Sequence, residues 1–166
     1  MKRGAVGSLL LLVAGGGVSY FWPTSRRGGP SGLSVFDETE ASILAAVADV
    51  VLAIEPGAPS AESVGVVGRV DALLARSPAD VQRELRRLLR LFENGLTGLL
   101  TGSGWTSFTA ASGEARRRRL MAWEMSRISI FRTGFQAMKR LTAACYYSCP
   151  AAWAAIGYPG PPEGLS

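Results

Sequence analysis

From residue 36 onward, large apolar side chains return every three or four positions, which is the period of an amphipathic helix rather than a strand. Asp37 with Glu40 forms a capping pair, Phe36 stands at the staple position before it, and Ile43, Val47, Val50, Val51 and Ile54 then make one stripe. Pro56-Gly57 closes that helix. A shorter helix is expected from Ala61 to Arg76, with Val67, Val70, Leu73 and Leu74 on its inner face. Ser77-Pro78-Ala79-Asp80 places a hydroxyl at the N-cap and proline at the first helical position, so a third helix starts there and runs to about Leu100. Its stripe is Val81, Leu85, Leu88, Leu89, Phe92, Leu96 and Leu99, and Arg83, Arg86, Arg87 and Arg90 read as its solvated face. A Gly/Ser/Thr-rich loop over 101–113 carries Trp105 and Phe108, which are expected to fold back onto the core, with partner contacts as the alternative. From Glu114 the helical pattern resumes through Leu120, Trp123, Ile128, Phe131, Phe135, Met138 and Leu141 to the Cys145 region, with Gly134 as the expected bend. Met121, Met125 and Ile130 widen this stripe beyond one packing face, so the helix is expected to be central to its domain, with a partner covering one end as the alternative. The fold class is all-α: a compact helical domain of about four main helices over 36–166.

The first 35 residues follow a different pattern. Lys2 and Arg3 precede an uncharged stretch from Gly4 to Trp22, and Arg26 and Arg27 follow it. This is the layout of a signal peptide, and its length is close to the roughly 20 residues that span a bilayer, so 1–22 is expected to be a signal peptide or a membrane anchor, with a buried first helix of the domain as the alternative. Residues 23–35 are rich in Pro and Gly and read as a flexible linker. The expected location is the periplasm or cell envelope.

Composition narrows the chemistry. The 166 residues contain no histidine, which removes the commonest general base, the commonest metal ligand and the usual proximal haem ligand. There is no G-x-G-x-x-G turn and no C-x-x-C-H haem site, and Asp49, Asp71 and Glu124 stand isolated in the sequence. No catalytic, cofactor-binding or metal site is therefore expected, and no enzyme activity of the chain's own. The net charge of +5 comes from arginine clusters rather than cations interleaved with aromatics, so nucleic acid is not the expected partner.

Two local features remain. Consecutive helical residues point about 100° apart, so Arg116 to Arg119 cannot converge on one small anion and read as a solvated first turn offset by Glu114. Cations at a helix N-terminus are unfavourable, which an external acidic partner could offset. Cys145 and Cys149 lie four apart before Pro150, and three states stay open: an internal disulfide, a bridge to another subunit, or free thiols.

The tail from Tyr146 to Pro161 (YYSCPAAWAAIGYPGP) resembles the end of the gluconate 2-dehydrogenase small-subunit family, in which a Tyr-Tyr-x-x-Pro stretch is followed by Trp and a Gly-Tyr-x-Gly-Pro ending. Looser likeness extends upstream, through Phe36 with its acidic cap, Leu44 to Asp49, Val70-Asp71, and Trp123-Glu124-x-Ser126 with Arg132-x-x-Phe135. The resemblance implies a small helical partner of a flavin-containing dehydrogenase of the glucose-methanol-choline type, serving maturation, export or stability of the large subunit that holds the flavin, with a cytochrome c subunit as an indirect neighbour. The leader departs from the family's twin-arginine signal, since Lys2-Arg3 lacks that motif.

The tail is also suited to docking on physical grounds. Trp153, Tyr158 and Tyr147 bring large area at low entropic cost, and Pro159, Pro161 and Pro162 stiffen the exit. The expected partner-binding residues are Trp153, Tyr158, Tyr147 and Pro161, with Trp153 and Ile156 capping the domain's own core as the competing possibility. A stand-alone, membrane-anchored helical envelope protein with a structural role is the alternative function.

Overall fold

The computed structural model describes residues 24–25, 28, 30, 32–52, 57–95, 98 and 106–161. The leader reading of 1–22 lies outside these residues, as do Ile54, Leu96, Leu99 and Trp105. The described chain is helical, with no strand among the described residues: α1 (Glu38–Val51), α2 (Val66–Ala75), α3 (Ala79–Glu93), α4 (Gly113–Glu124) and α5 (Ser129–Tyr147), then two 3-10 turns, Pro150–Ala152 and Ala154–Ile156.

The first helix starts where its capping pair sits. The Asp37 carboxylate accepts the Glu40 N–H at 2.8 Å, and the Glu40 carboxylate accepts the Asp37 N–H at 3.2 Å. Ile43, Leu44, Ala46, Val47 and Ala48 are all buried, and α1 packs against α2, α3, α4 and α5. It is thus α1, whose alanines let neighbours approach closely, that occupies the centre of the domain. It shares that position with α5, which packs against α1, α2, α4 and the first 3-10 turn, while Met121, Met125 and Ile130, at 58%, 80% and 49% exposed, leave the α4 end of the expected long helix uncovered.

Three boundaries differ from expectation, each for a local reason. The second helix begins at Val66 rather than Ala61, because Gly65 takes a left-handed conformation at φ 72° that no α-helix continues through. Leu73 on that helix is exposed, while Val70 and Leu74 are buried. The third helix ends at Glu93, where Asn94 is extended and the Glu93 carbonyl accepts the Phe108 N–H at 3.2 Å, so an unbroken helix to Leu100 is not formed. Ser77 does not cap α3; its hydroxyl donates to the Leu73 carbonyl and closes α2.

The single long helix expected from Glu114 is two. The Ser126 hydroxyl accepts the Ile128 N–H at 3.1 Å, a side-chain bond that competes with the helical ladder, and the break falls there rather than at Gly134. Gly134 serves packing instead. A Cβ on it would lie 2.5 Å from a Leu88 methyl carbon and 3.3 Å from the Trp123 ring. Trp123 stacks on Phe92 at 3.9 Å and on Phe131 at 4.7 Å between ring centroids, and Phe108, fully buried, meets Phe92 edge-on.

The stretch read as a flexible linker is held at both of its described ends. Ser25 donates its N–H to the Thr109 hydroxyl at 2.9 Å. Ser34, Val35 and Phe36 donate theirs to the Asp71 carboxylate at 2.7, 3.0 and 2.9 Å.

Candidate functional site

The C-terminal tail is built from the end of α5. Ser148 caps that helix with its N–H on the Ala144 carbonyl, and Cys149 is extended, as a residue before proline prefers. Pro150 opens the first 3-10 turn, and Gly157 reverses the chain at φ 64°. The tail then wraps Trp153. The indole N–H donates to the Tyr147 carbonyl at 2.7 Å, the Tyr158 N–H donates to the Trp153 carbonyl at 3.1 Å, and the two rings meet edge to face at 5.4 Å. Gly160, at φ 108°, passes so close that a Cβ there would stand 3.2 Å from the indole.

These contacts give the aromatic residues different situations. Trp153 is half-buried and organises the tail, whereas Tyr147, Ile156 and Tyr158 are exposed by 43%, 56% and 44%. Ile156 therefore does not cap the core; fully buried Ala152 is the tail's inner contact. Pro161 is exposed at the end of the described chain. Tyr146, beside Tyr147, faces inward and donates its hydroxyl to the Pro59 carbonyl at 2.7 Å. Arg69 of α2 reaches the Ser148 hydroxyl at 3.5 Å, a link that nothing in the sequence pattern announces.

Cys145 is buried and Cys149 half-buried, and both are free thiols in the structure. Burial pushes the Cys145 thiol up, only partly countered by the charge of Arg69, so it is a poor nucleophile.

The buried carboxylates are each engaged. Glu40, fully buried, takes Arg86 Nε at 2.8 Å and Arg90 Nη2 at 3.1 Å. Arg86 and Arg90 are thus not a purely solvated face of α3, while Arg83 and Arg87 are exposed. Asp71 is the backbone clamp already described; burial works to raise its pKa, and the N–H groups of Ser34, Phe36 and Val35 outweigh this and hold it below the usual carboxylate value. Glu93 accepts both the N–H and the hydroxyl of Thr109, yet burial raises its pKa on balance.

The arginine run at the start of α4 is divided. Arg119 is fully buried and donates to the Thr106 carbonyl at 2.7 Å, and Arg116 donates to the carbonyls of Phe108 and Thr109. Only Arg117 and Arg118 are exposed, paired loosely with Glu114 at 3.9 and 3.3 Å. A cavity of about 380 Å³ between α1 and α2 is lined mostly by alanine and glycine. Among the described residues no group of three or more His, Cys, Asp or Glu could hold a metal ion, and no helix is long and apolar enough to cross a membrane.

The profile of the gluconate 2-dehydrogenase subunit 3 family matches residues 38–160, from the first turn of α1 to the glycine packed on Trp153. The chain belongs to this family. No curated protein and no solved structure matches it. The subunit 3 match takes in all five of the described helices and both 3-10 turns, so it reaches well beyond the tail motif.

Proposed function

We propose that this subunit 3 family member is a non-catalytic accessory subunit of a flavin-dependent sugar or alcohol dehydrogenase, acting in the periplasm or cell envelope on the maturation, export or stability of the large subunit. The family match over residues 38–160 carries this reading. The buried carboxylates support it, because each is occupied in holding the fold: Asp71 by three backbone N–H groups, Glu40 by two arginines and Glu93 by Thr109.

In this reading the large subunit docks on the C-terminal tail, with Tyr158 and Tyr147 as contacts, Pro161 at the edge, and Trp153 as the anchor that fixes their arrangement. A cytochrome c subunit is at most an indirect neighbour. The test is co-expression with a flavin dehydrogenase large subunit from the same organism. The expected result is co-purification and greater flavin occupancy of the large subunit than when it is made alone. Equal occupancy and yield without this chain would refute the role. Tyr158→Ala, which loses only an edge contact with Trp153, should weaken co-purification with a smaller drop in the thermal midpoint of the isolated chain than Trp153→Ala, which should disturb both.

A further inference from the structure

Glu93 stands where the end of α3, the 106–109 loop and the chain at Thr24–Ser25 meet. Its carboxylate accepts the Thr109 N–H at 3.0 Å and the Thr109 hydroxyl, and the hydroxyls of Thr24 and Ser107 donate to it as well. The Thr109 hydroxyl in turn accepts the Ser25 N–H at 2.9 Å. These bonds from Thr24 and Ser25 therefore both run to Glu93, one directly and one through Thr109.

The three walls of this cluster differ in how firmly they are held. The end of α3 is anchored by fully buried Leu89 and Phe92, and the loop by fully buried Phe108. Thr24 is half-buried and Ser25 exposed, and neither belongs to the apolar core. Thr24–Ser25 is thus the wall that can leave with the domain intact.

The charged groups facing the carboxylate come from α4. Arg119 feels the Glu93 charge, which works against the loss of its own cation to burial, and Arg116 donates to the Thr109 carbonyl. Arg90, one turn back on α3, is taken up by Glu40 and Asp37. The loop and the Thr24–Ser25 wall contribute hydroxyls and N–H groups, which do not titrate near neutrality, and arginine keeps its charge there. Glu93 is the member of the cluster whose charge can change with pH.

We propose that Glu93 is a proton-operated latch: its neutral carboxyl keeps Thr24–Ser25 seated, and its ionisation lets that segment lift away. The sign follows from what lifting exchanges. Water replaces the Thr24 hydroxyl as a donor at little net cost, whereas the burial that disfavours the charged form is relieved. Burial is also the largest influence on Glu93 with the segment seated, outweighing its donors and raising its pKa. The seated segment therefore binds a proton that the lifted one releases. The inference is independent of which partner the tail binds.

The test follows amide exchange of the full chain in neutral detergent by NMR between about pH 4 and 8, the range of a carboxyl raised from its usual value, with each rate corrected for its intrinsic pH dependence. The opening constant of the Ser25 amide should rise by up to about tenfold per pH unit above the Glu93 midpoint, which the Glu93 Cδ resonance reports. The Val47 and Ala48 amides of α1 should stay protected throughout. Glu93→Gln, neutral at every pH, should leave the Ser25 opening constant flat. A Ser25 opening constant that does not change with pH in the parent chain, or that changes equally in Glu93→Gln, would overturn the proposal. So would a rise shared in step by Val47 and Ala48, which would report unfolding of the domain rather than release of the segment.

Discussion

The Glu40 carboxylate, with no solvent exposure, lies 2.8 Å from the Arg86 guanidinium, which is itself more than a third exposed. Arg90 completes the contact from one turn further along α3, and both arginines also reach Asp37, the N-cap of α1. A helix start is thus fastened to a neighbouring helix by the residue that caps it.

Removing the two arginines should therefore strand a buried charge. Arg86→Ala with Arg90→Ala is expected to cost about 3 kcal/mol of folding stability, the low end for an uncompensated buried partner because the site opens to solvent on one side. Arg83→Ala with Arg87→Ala, on the exposed side of the same helix, should stay within about 0.5 kcal/mol. Urea unfolding of the two double variants makes the comparison.

The acid limb of stability should report Asp71. Its folded pKa is lowered, so its contribution is present above the unfolded value of about 3.9 and is lost as pH falls through the folded value. Asp71→Asn sets an amide against three N–H donors and is expected to cost about 1–3 kcal/mol at neutral pH. The loss should shrink toward acid pH in thermal melts between pH 6 and 2. A pH-independent difference would show that the carboxylate charge is not what matters.

Glu93 should act with the opposite sign. Burial raises its folded pKa, so the stability it contributes is complete below the unfolded value of about 4.3 and is lost as pH rises through the folded value. The stability of Glu93→Gln relative to the parent chain should accordingly improve as pH increases over that interval. Paired melts across pH 4 to 8 measure this, and a falling difference would contradict the assignment.

Gly134→Ala is expected to destabilise despite the better helix propensity of alanine. Leu88 is half-buried and can rotate away, but the Trp123 ring is held between Phe92 and Phe131 and cannot. Overpacking of 1–3 kcal/mol against a propensity gain of up to about 1 leaves a net loss of about 1 kcal/mol. Chemical denaturation decides the sign.

Much of the fold was legible where local chemistry and global packing agree. The Asp37–Glu40 cap, the burial of Ile43 and Val47, and the return of Phe108 to the core all follow from periodicity and capping rules. The errors arise where one residue answers to a distant partner. Nothing local to Glu93 says that its carbonyl and carboxylate will bind Phe108 and Thr109 and end the helix. Likewise, Arg86 and Arg87 are adjacent and equivalent in sequence, and only the position of Glu40 on another helix separates their roles. In the tail, composition identified the aromatic residues but not their division of labour, since the wrap of Tyr158 and Gly160 around Trp153 depends on two left-handed glycines.

The bond from Ser25 to Thr109 joins positions 84 residues apart, and this has a consequence for the order of folding. Closing a loop of that length costs about 4 kcal/mol in chain entropy before any contact is made. The helices between the two positions close far shorter loops, so they assemble first and the chain at Ser25 is laid down on a finished surface. It should also be the first segment to lift on heating. Native-state hydrogen exchange would then show the Ser25 amide opening at a lower free energy than the amides of α1, with the domain intact beneath it.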